Sequence, residues 1–299
     1  MSDWVAIGLR FGLYLDLMLL SGLATHILHA PRSAIAVRRG DLAMLAGIGL
    51  ALSIAGFALM TAAMAGVPIL DLDRDILGFV VLDTAPGTAF LVRTTALIAV
   101  AMLGLLAPGR LLAWPIAVVA VIALATLAWT GHAAATEGWG GVVHRLADIV
   151  HLIAAAAWIG ALAMLLKALF SPFRDAGAIA DAHRALAGFA IAGSVMVALV
   201  VATGLGNGWM IIGPAGLPLL PATLYGQLLL AKLGLFVVML ALAATNRWRL
   251  TPRLMAAAQA GDATGAIGAL RVSITIEAAA AIVILCLVAW LGTLAPSGV

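Results

Sequence analysis

Eight apolar runs constrain this chain more than any other feature, because each has the roughly 20 residues that a helix needs to cross a bilayer core. They lie near residues 5–29, 41–65, 87–106, 111–131, 143–169, 184–206, 223–245 and 271–293. Inside lipid a backbone amide finds no water, so runs of this length must fold with their hydrogen bonds closed within the segment. The expected fold is all-α: a polytopic membrane bundle of eight transmembrane helices forming one integral domain over 1–299. Composition agrees, since 65% of the residues are hydrophobic and 10% are charged, against roughly 25% charged in soluble domains. The start, MSDWVAIGLRFG, lacks the basic opening of a secretory signal, so the first run is expected to remain a membrane helix.

Arginine and lysine set the orientation. Runs one, three, five and seven are followed by connections holding Arg32, Arg38, Arg39, Arg110, Lys167, Arg174, Arg184, Arg247, Arg249, Arg253 and Arg271. The other connections hold little beyond Arg74 and Arg145. The positive-inside rule then makes the first set cytoplasmic and both termini periplasmic. Trp4, Trp129, Trp139, Trp209 and Trp290 fall at the outer boundary and Trp114 and Trp248 at the inner one, as an aromatic belt requires. The outward loop 66–86 carries Asp71, Asp73, Asp75 and Asp83 beside a short apolar run, and reads as an amphipathic piece lying at the interface. A faint repeat aligns Gly87–Arg93 with Gly226–Lys232, and then Arg110 with Arg249, which suggests two four-helix units.

The excess of basic residues does not point to nucleic acid, because no basic cluster with interleaved aromatics is present. A single cysteine, Cys286, excludes an intrachain disulfide and any Cys-rich metal motif. There is no ATP-binding motif and no nucleophile with an orienting base, so an enzyme is not expected.

Titratable groups at membrane depth are costly and mark cavities, relays or metal sites. In GHAAATEGWGGVVHRLADIVHLIAAAAWIG, from Gly131, His144, Asp148 and His151 stand at i, i+4 and i+7, and Trp158 at i+14, all on one helical face. Met60 and Met64 share one face at the outward end of the second run, on the same side as His132, His144 and His151. Thioether with imidazole suits copper, Cu(I) before Cu(II). The competing readings are histidines hydrogen-bonded across helices and methionines filling gaps in a core. Asp16, in the middle of the first run, and Glu277, in the inner part of the eighth, either lock the bundle or join Asp148 in passing a cation or proton. Arg10, Arg93 and Lys232 read as cations paired with these buried acids to lock the bundle, and His26, His29 and His183 as caps at the inner face.

Three stretches then carry a resemblance: HRLADIVHLIAAAAWIGAL at His144–Leu162, LYGQLLLAKLGLFVVMLALAATNRWRLTP at Leu224–Pro252 and LRVSITIEAAAAIVILCLVAWLGTLAP at Leu270–Pro296. Together they resemble the copper resistance protein D (CopD) family of bacterial inner-membrane proteins, over roughly Trp129–Pro296 and chiefly within 143–296. The resemblance implies an eight-span protein of copper uptake or tolerance that accepts copper in the periplasm. It also implies a separate periplasmic carrier of the CopC type as partner. The family's outward histidines correspond to His144 and His151, with His132 as a third. The expected function is copper transport from periplasm to cytoplasm. Its alternatives are a haem-binding membrane cytochrome, and a sensor or assembly factor that holds copper without moving it.

Overall fold

In the computed structural model, which describes residues 4–29, 37–106, 112–131, 136–171 and 176–296, every regular element is helical. These are α1 (Trp4–His29), α2 (Arg39–Ala65), α3 (Arg74–Asp83), α4 (Ala85–Leu106), α5 (Ala113–Ala125), α6 (Gly138–Phe170), α7 (Ala176–Gly216), α8 (Leu224–Thr245), α9 (Thr251–Gln259) and α10 (Thr264–Leu291). Among the described residues, seven helical stretches are long and apolar enough to cross a membrane: Trp4–Leu28, Arg39–Ala65, Ala85–Leu105, Gly138–Phe170, Ala192–Ala222, Leu224–Gln259 and Thr264–Leu291. The remaining expected span is shorter. It runs over Ala113–Trp129 and tightens into a 3-10 turn at Thr126–Trp129, where the Thr126 hydroxyl donates to the Ala123 carbonyl at 2.6 Å.

Two other boundaries differ from expectation. α7 runs on past residue 206 and breaks only at Gly213, whose φ of 61° is a left-handed conformation that glycine adopts without steric cost. Pro214 follows and lacks the amide that a continuing helix would need. The stretch 251–259, expected as a plain connection, forms α9 and joins α8 through a π-helical turn at Asn246–Leu250. The loop 66–86 does contain a short helix. In α3, Asp73 caps the start by accepting from the Ile76 amide at 2.8 Å, and Phe79 and Leu82 face outward.

α1 is the hub, packing on α2, α5, α6 and α10. One apolar core joins α1, α2, α4 and α5 around Leu17, Leu20, Leu97, Leu124 and Leu127. A second joins α6 to α8–α10 around Trp158, Leu165, Leu254, Leu270 and Ile274. The seam between α1 and α6 is glycine against glycine. A Cβ on Gly22 would lie 2.1 Å from the Ala156 carbonyl oxygen, and one on Gly160 would lie 2.3 Å from the Gly22 carbonyl carbon. Membrane helices pack this closely where small residues let backbones touch.

The first helix begins where the last one ends. The Trp4 and Trp290 rings lie 5.3 Å apart, and Arg10 reaches the carbonyls of Gly292 at 2.6 Å and Thr130 at 2.8 Å. Trp139 and Trp209 are exposed toward that terminal end, Trp114 and Trp248 toward the opposite one.

Candidate functional site

The polar stripe of α6 turns inward, and its members find partners on the segment before α6, on α7 and on α10. His144, 1% exposed, has its Nδ1 2.9 Å from the Thr136 hydroxyl. Two glycines make that contact possible. Gly138 takes a φ of 63°, and at Gly141 a Cβ would lie 1.9 Å from the Thr136 carbonyl oxygen. The segment before α6 can therefore fold back onto its first turns.

Asp148, one turn deeper, accepts from the Asn207 amide of α7 at 3.4 Å and feels the charge of Lys232 on α8. Tyr14 of α1 is a further electrostatic neighbour and links this carboxylate to Arg10 and Arg93. His151 follows, its Nδ1 3.0 Å from the Thr203 hydroxyl and its ring against Gly204, where a Cβ would sit 3.4 Å from Cε1. Thr203 spends its own hydroxyl hydrogen on the Leu199 carbonyl at 2.5 Å. Its oxygen is left to accept, so neutral His151 carries its proton on Nδ1 and keeps the Nε2 lone pair for a ligand. Two rings seven residues apart stand about 10 Å apart along the axis, too far for one ion to bind both directly.

The stripe ends on Trp158, whose indole N–H donates to Glu277 Oε1 at 2.9 Å. Asn246 donates to Oε2 of the same carboxyl at 3.0 Å. Glu277 is thus held between α6, α10 and the π-helical turn that follows α8, and is 2% exposed. Asp16 differs. It is buried in the other core with neither carboxyl oxygen hydrogen-bonded, its Oδ2 lying 2.4 Å from the place a Cβ on Gly49 would take.

The remaining expected residues are more scattered. Met60 is half-buried and Met64 is 59% exposed, both on α2, which packs on α1, α3 and α4. His132 lies outside the described residues, as does the side chain of His29. Among the described residues, no group of three or more His, Cys, Asp or Glu side chains converges as a metal cluster would. Arg93 does not pair with an acid as expected: it bonds the hydroxyls of Ser53 at 3.1 Å and Thr126 at 3.4 Å, as Arg10 bonds backbone carbonyls. Sequence reasoning missed Asn207, Thr203, Asn246 and Ser273. The amide residues had a usable signal, since an asparagine inside an apolar run needs a partner as much as a carboxylate does.

The comparisons cover nearly the whole chain. Residues 1–142 match the family model described as copper resistance protein D-like, N-terminal domain, and residues 183–291 the model described as copper resistance protein D. Copper resistance protein D of Pseudomonas syringae pv. tomato is 38% identical over 313 residues, covering 99% of this chain and 98% of that protein. Inner membrane protein YebZ of Escherichia coli (strain K12) is 36% identical over 131 residues, 43% of this chain and 42% of that one. Copper transport protein CutJ of Bacillus subtilis (strain 168) is 37% identical over 121 residues, 40% of this chain and 21% of that one. No solved structure matches. A bundle of long apolar helices, two family models that divide the chain between them and a relative matched end to end give one answer: this is a multi-pass inner-membrane protein, not an enzyme, and it belongs to the copper resistance protein D family.

Proposed function

We propose that the protein moves copper from periplasm to cytoplasm along the inward face of α6. One observation carries this reading: His144, Asp148 and His151 all turn from lipid into the bundle, where His151 is oriented by the Thr203 hydroxyl. Copper is the cargo, in the Cu(I) state, whose softness suits imidazole with thioether. His144 with His132 forms an outer site, His151 a deeper one, and Met60 and Met64 supply thioether sulfur on the periplasmic side. Asp148 and Asp16 are the acids that balance charge along the copper path, whereas Glu277, apart from the copper ligands, is the acid that passes a proton. A CopC-type periplasmic carrier delivers the ion.

The same reading gives a single domain of eight crossings with both termini periplasmic. Contact between the two ends of the bundle calls for an even number, and Ala113–Trp129 supplies the eighth. The halves α1–α5 and α6–α10 are taken as repeats. Thr84 receives the Gly87 amide at 3.1 Å and Thr223 the Gly226 amide at 3.1 Å, and six residues beyond each glycine stands a cation, Arg93 or Lys232.

The test is copper entry into sealed proteoliposomes together with metal content of the purified protein. Wild type should accumulate Cu(I) against a protein-free control, and His151→Ala should cut entry about tenfold or more while removing only the deeper site's share of the bound copper. Bound copper without entry would leave a holding protein, and absence of both would end the copper reading.

A further inference from the structure

We infer that Glu277, Asn246, Ser273 and Trp158 form a proton-binding site that lies beyond the histidines of the α6 stripe and serves as the coupling site for cargo movement. All four side chains are more than nine-tenths buried. The carboxyl has two neutral donors, the Trp158 indole at 2.9 Å and the Asn246 amide at 3.0 Å, and no cation within bonding distance. Two further oxygens, Asn246 Oδ1 and, one helical turn before Glu277 on α10, Ser273 Oγ, are buried without a hydrogen-bond partner. An ionised carboxylate so enclosed is stabilised by its donors, yet it leaves those oxygens unsatisfied.

A proton satisfies them. It bonds to Oε2 and cancels the carboxylate charge. The Asn246 amide then makes a half-turn, so that Oδ1 accepts from the new O–H while its N–H₂ swings toward Ser273. The Trp158 N–H stays on Oε1 in both states. Release reverses each move. A soft metal ion would find only oxygen here, and so would prefer the imidazoles of α6. Asn246 also opens the π-helical turn at Asn246–Leu250, a local break of the kind often found at functional positions.

The neighbouring charges are all directed elsewhere. On α10, Arg271 donates to the Leu169 carbonyl at 2.8 Å and lies over the Phe170 ring. Beside Asn246, Arg247 bonds Ser194 of α7 and lies over Trp248. On α8 Lys232 acts on Asp148 and His151 of α6. On α1 Arg10 reaches the far end of α10, and Asp16 faces Gly49 of α2. Lys167 of α6 is exposed and sits in the last turn of that helix. Among the described residues, the Glu277 carboxyl is hydrogen-bonded by neutral groups, and a proton is the charge it can exchange.

The coupling role rests on the proposed copper transport; the protonation itself does not, and the experiment separates the two. Infrared difference spectra across pH on the full chain in lipid nanodiscs should show a protonated-carboxyl band that comes and goes. Glu277→Gln should remove it, and Asn246→Leu, which keeps the carboxyl but removes its switching partner, should move the pH at which it appears. Bound Cu(I), measured on the same samples, should stay within twofold of wild type in both variants, whereas entry into proteoliposomes should lose its dependence on an imposed pH gradient. A band unchanged in both variants overturns the site. Loss of bound copper in Glu277→Gln, with Asn246→Leu folded and metal-replete, overturns its separation from the copper path. If wild type binds no copper, the transport reading fails while the infrared titration still decides the proton site.

Discussion

At the scale of single residues, His151 illustrates how a side chain two shells from any ion can matter. Thr203 donates to its own helix and accepts from the ring, so it fixes both tautomer and orientation. Thr203→Val keeps shape and removes the acceptor. It should lower copper affinity about 10-fold while leaving insertion intact, read by chelator competition; an affinity equal to wild type would make the Thr203 bond incidental. His144→Ala should remove only part of the bound copper, because a ring about 10 Å away along the axis serves another ion. The stripe itself was legible from spacing, since i, i+4 and i+7 leave no choice of face. Thr203 was not, because a threonine in an apolar run satisfies itself against its own helix and gives no sign of a second bond. The methionines stand between these cases. Met60→Leu with Met64→Leu conserves volume, so fold should hold. Cu(I) affinity should fall more than Cu(II), and what remains should weaken more steeply below roughly pH 6–7 as imidazoles take up protons. Unchanged Cu(I) affinity would return Met60, which is half-buried, to packing and leave Met64, 59% exposed, as an outward-facing side chain.

At the scale of elements, helix existence was legible from apolar length, and close approaches were not. Nothing in the sequence distinguishes Gly22 and Gly160, which bring α1 and α6 into backbone contact, from Gly56, where a Cβ would meet nothing within 4 Å. The difference depends on which helix lies opposite, and that is tertiary information. Gly160→Ala must push α1 away from α6, at a cost of about 1–3 kcal/mol typical of overpacking. Because α6 carries the stripe, copper retention should drop with stability. Gly56→Ala should change neither. Thermal unfolding in detergent with metal content on the same samples checks both, and equal melting of the two variants would remove the α1–α6 seam as a determinant of the fold. Gly87 and Gly226 belong to a different class: each abuts a preceding carbonyl oxygen 2.0 Å from its missing Cβ, Val80 or Leu220, and each follows a threonine cap by three residues. The sequence register between them hinted at duplication, but only the shared turn gives that register a physical cause.

At the scale of the whole molecule, the proposed eight-crossing topology rests on the short span. If Ala113–Trp129 failed to cross, seven crossings would send the two termini to opposite faces, yet Trp4 meets Trp290 and Arg10 holds the Gly292 carbonyl. A thirteen-residue α-helix at 1.5 Å per residue with a four-residue 3-10 turn at about 2 Å reaches roughly 28 Å, close to the ~30 Å hydrocarbon core. Its alignment with α1 agrees: Ser21 bonds the Ala120 carbonyl at 2.8 Å while Arg10 bonds that of Thr130, so the two segments run antiparallel through the same depth. Single cysteines in a Cys286→Ala background should therefore label from the cytoplasm at Gly40 and Gly261 and from the periplasm at Asp75 and Glu137. Gly40 and Asp75 precede the short span and report only on α1 and α2. Glu137 and Gly261 follow it, and both would switch sides if it did not cross. Periplasmic labelling at Gly261 with Glu137 cytoplasmic and Asp75 still periplasmic would thus overturn the eight-crossing arrangement ahead of α6, where the short span lies, and with it the outward placement of His144.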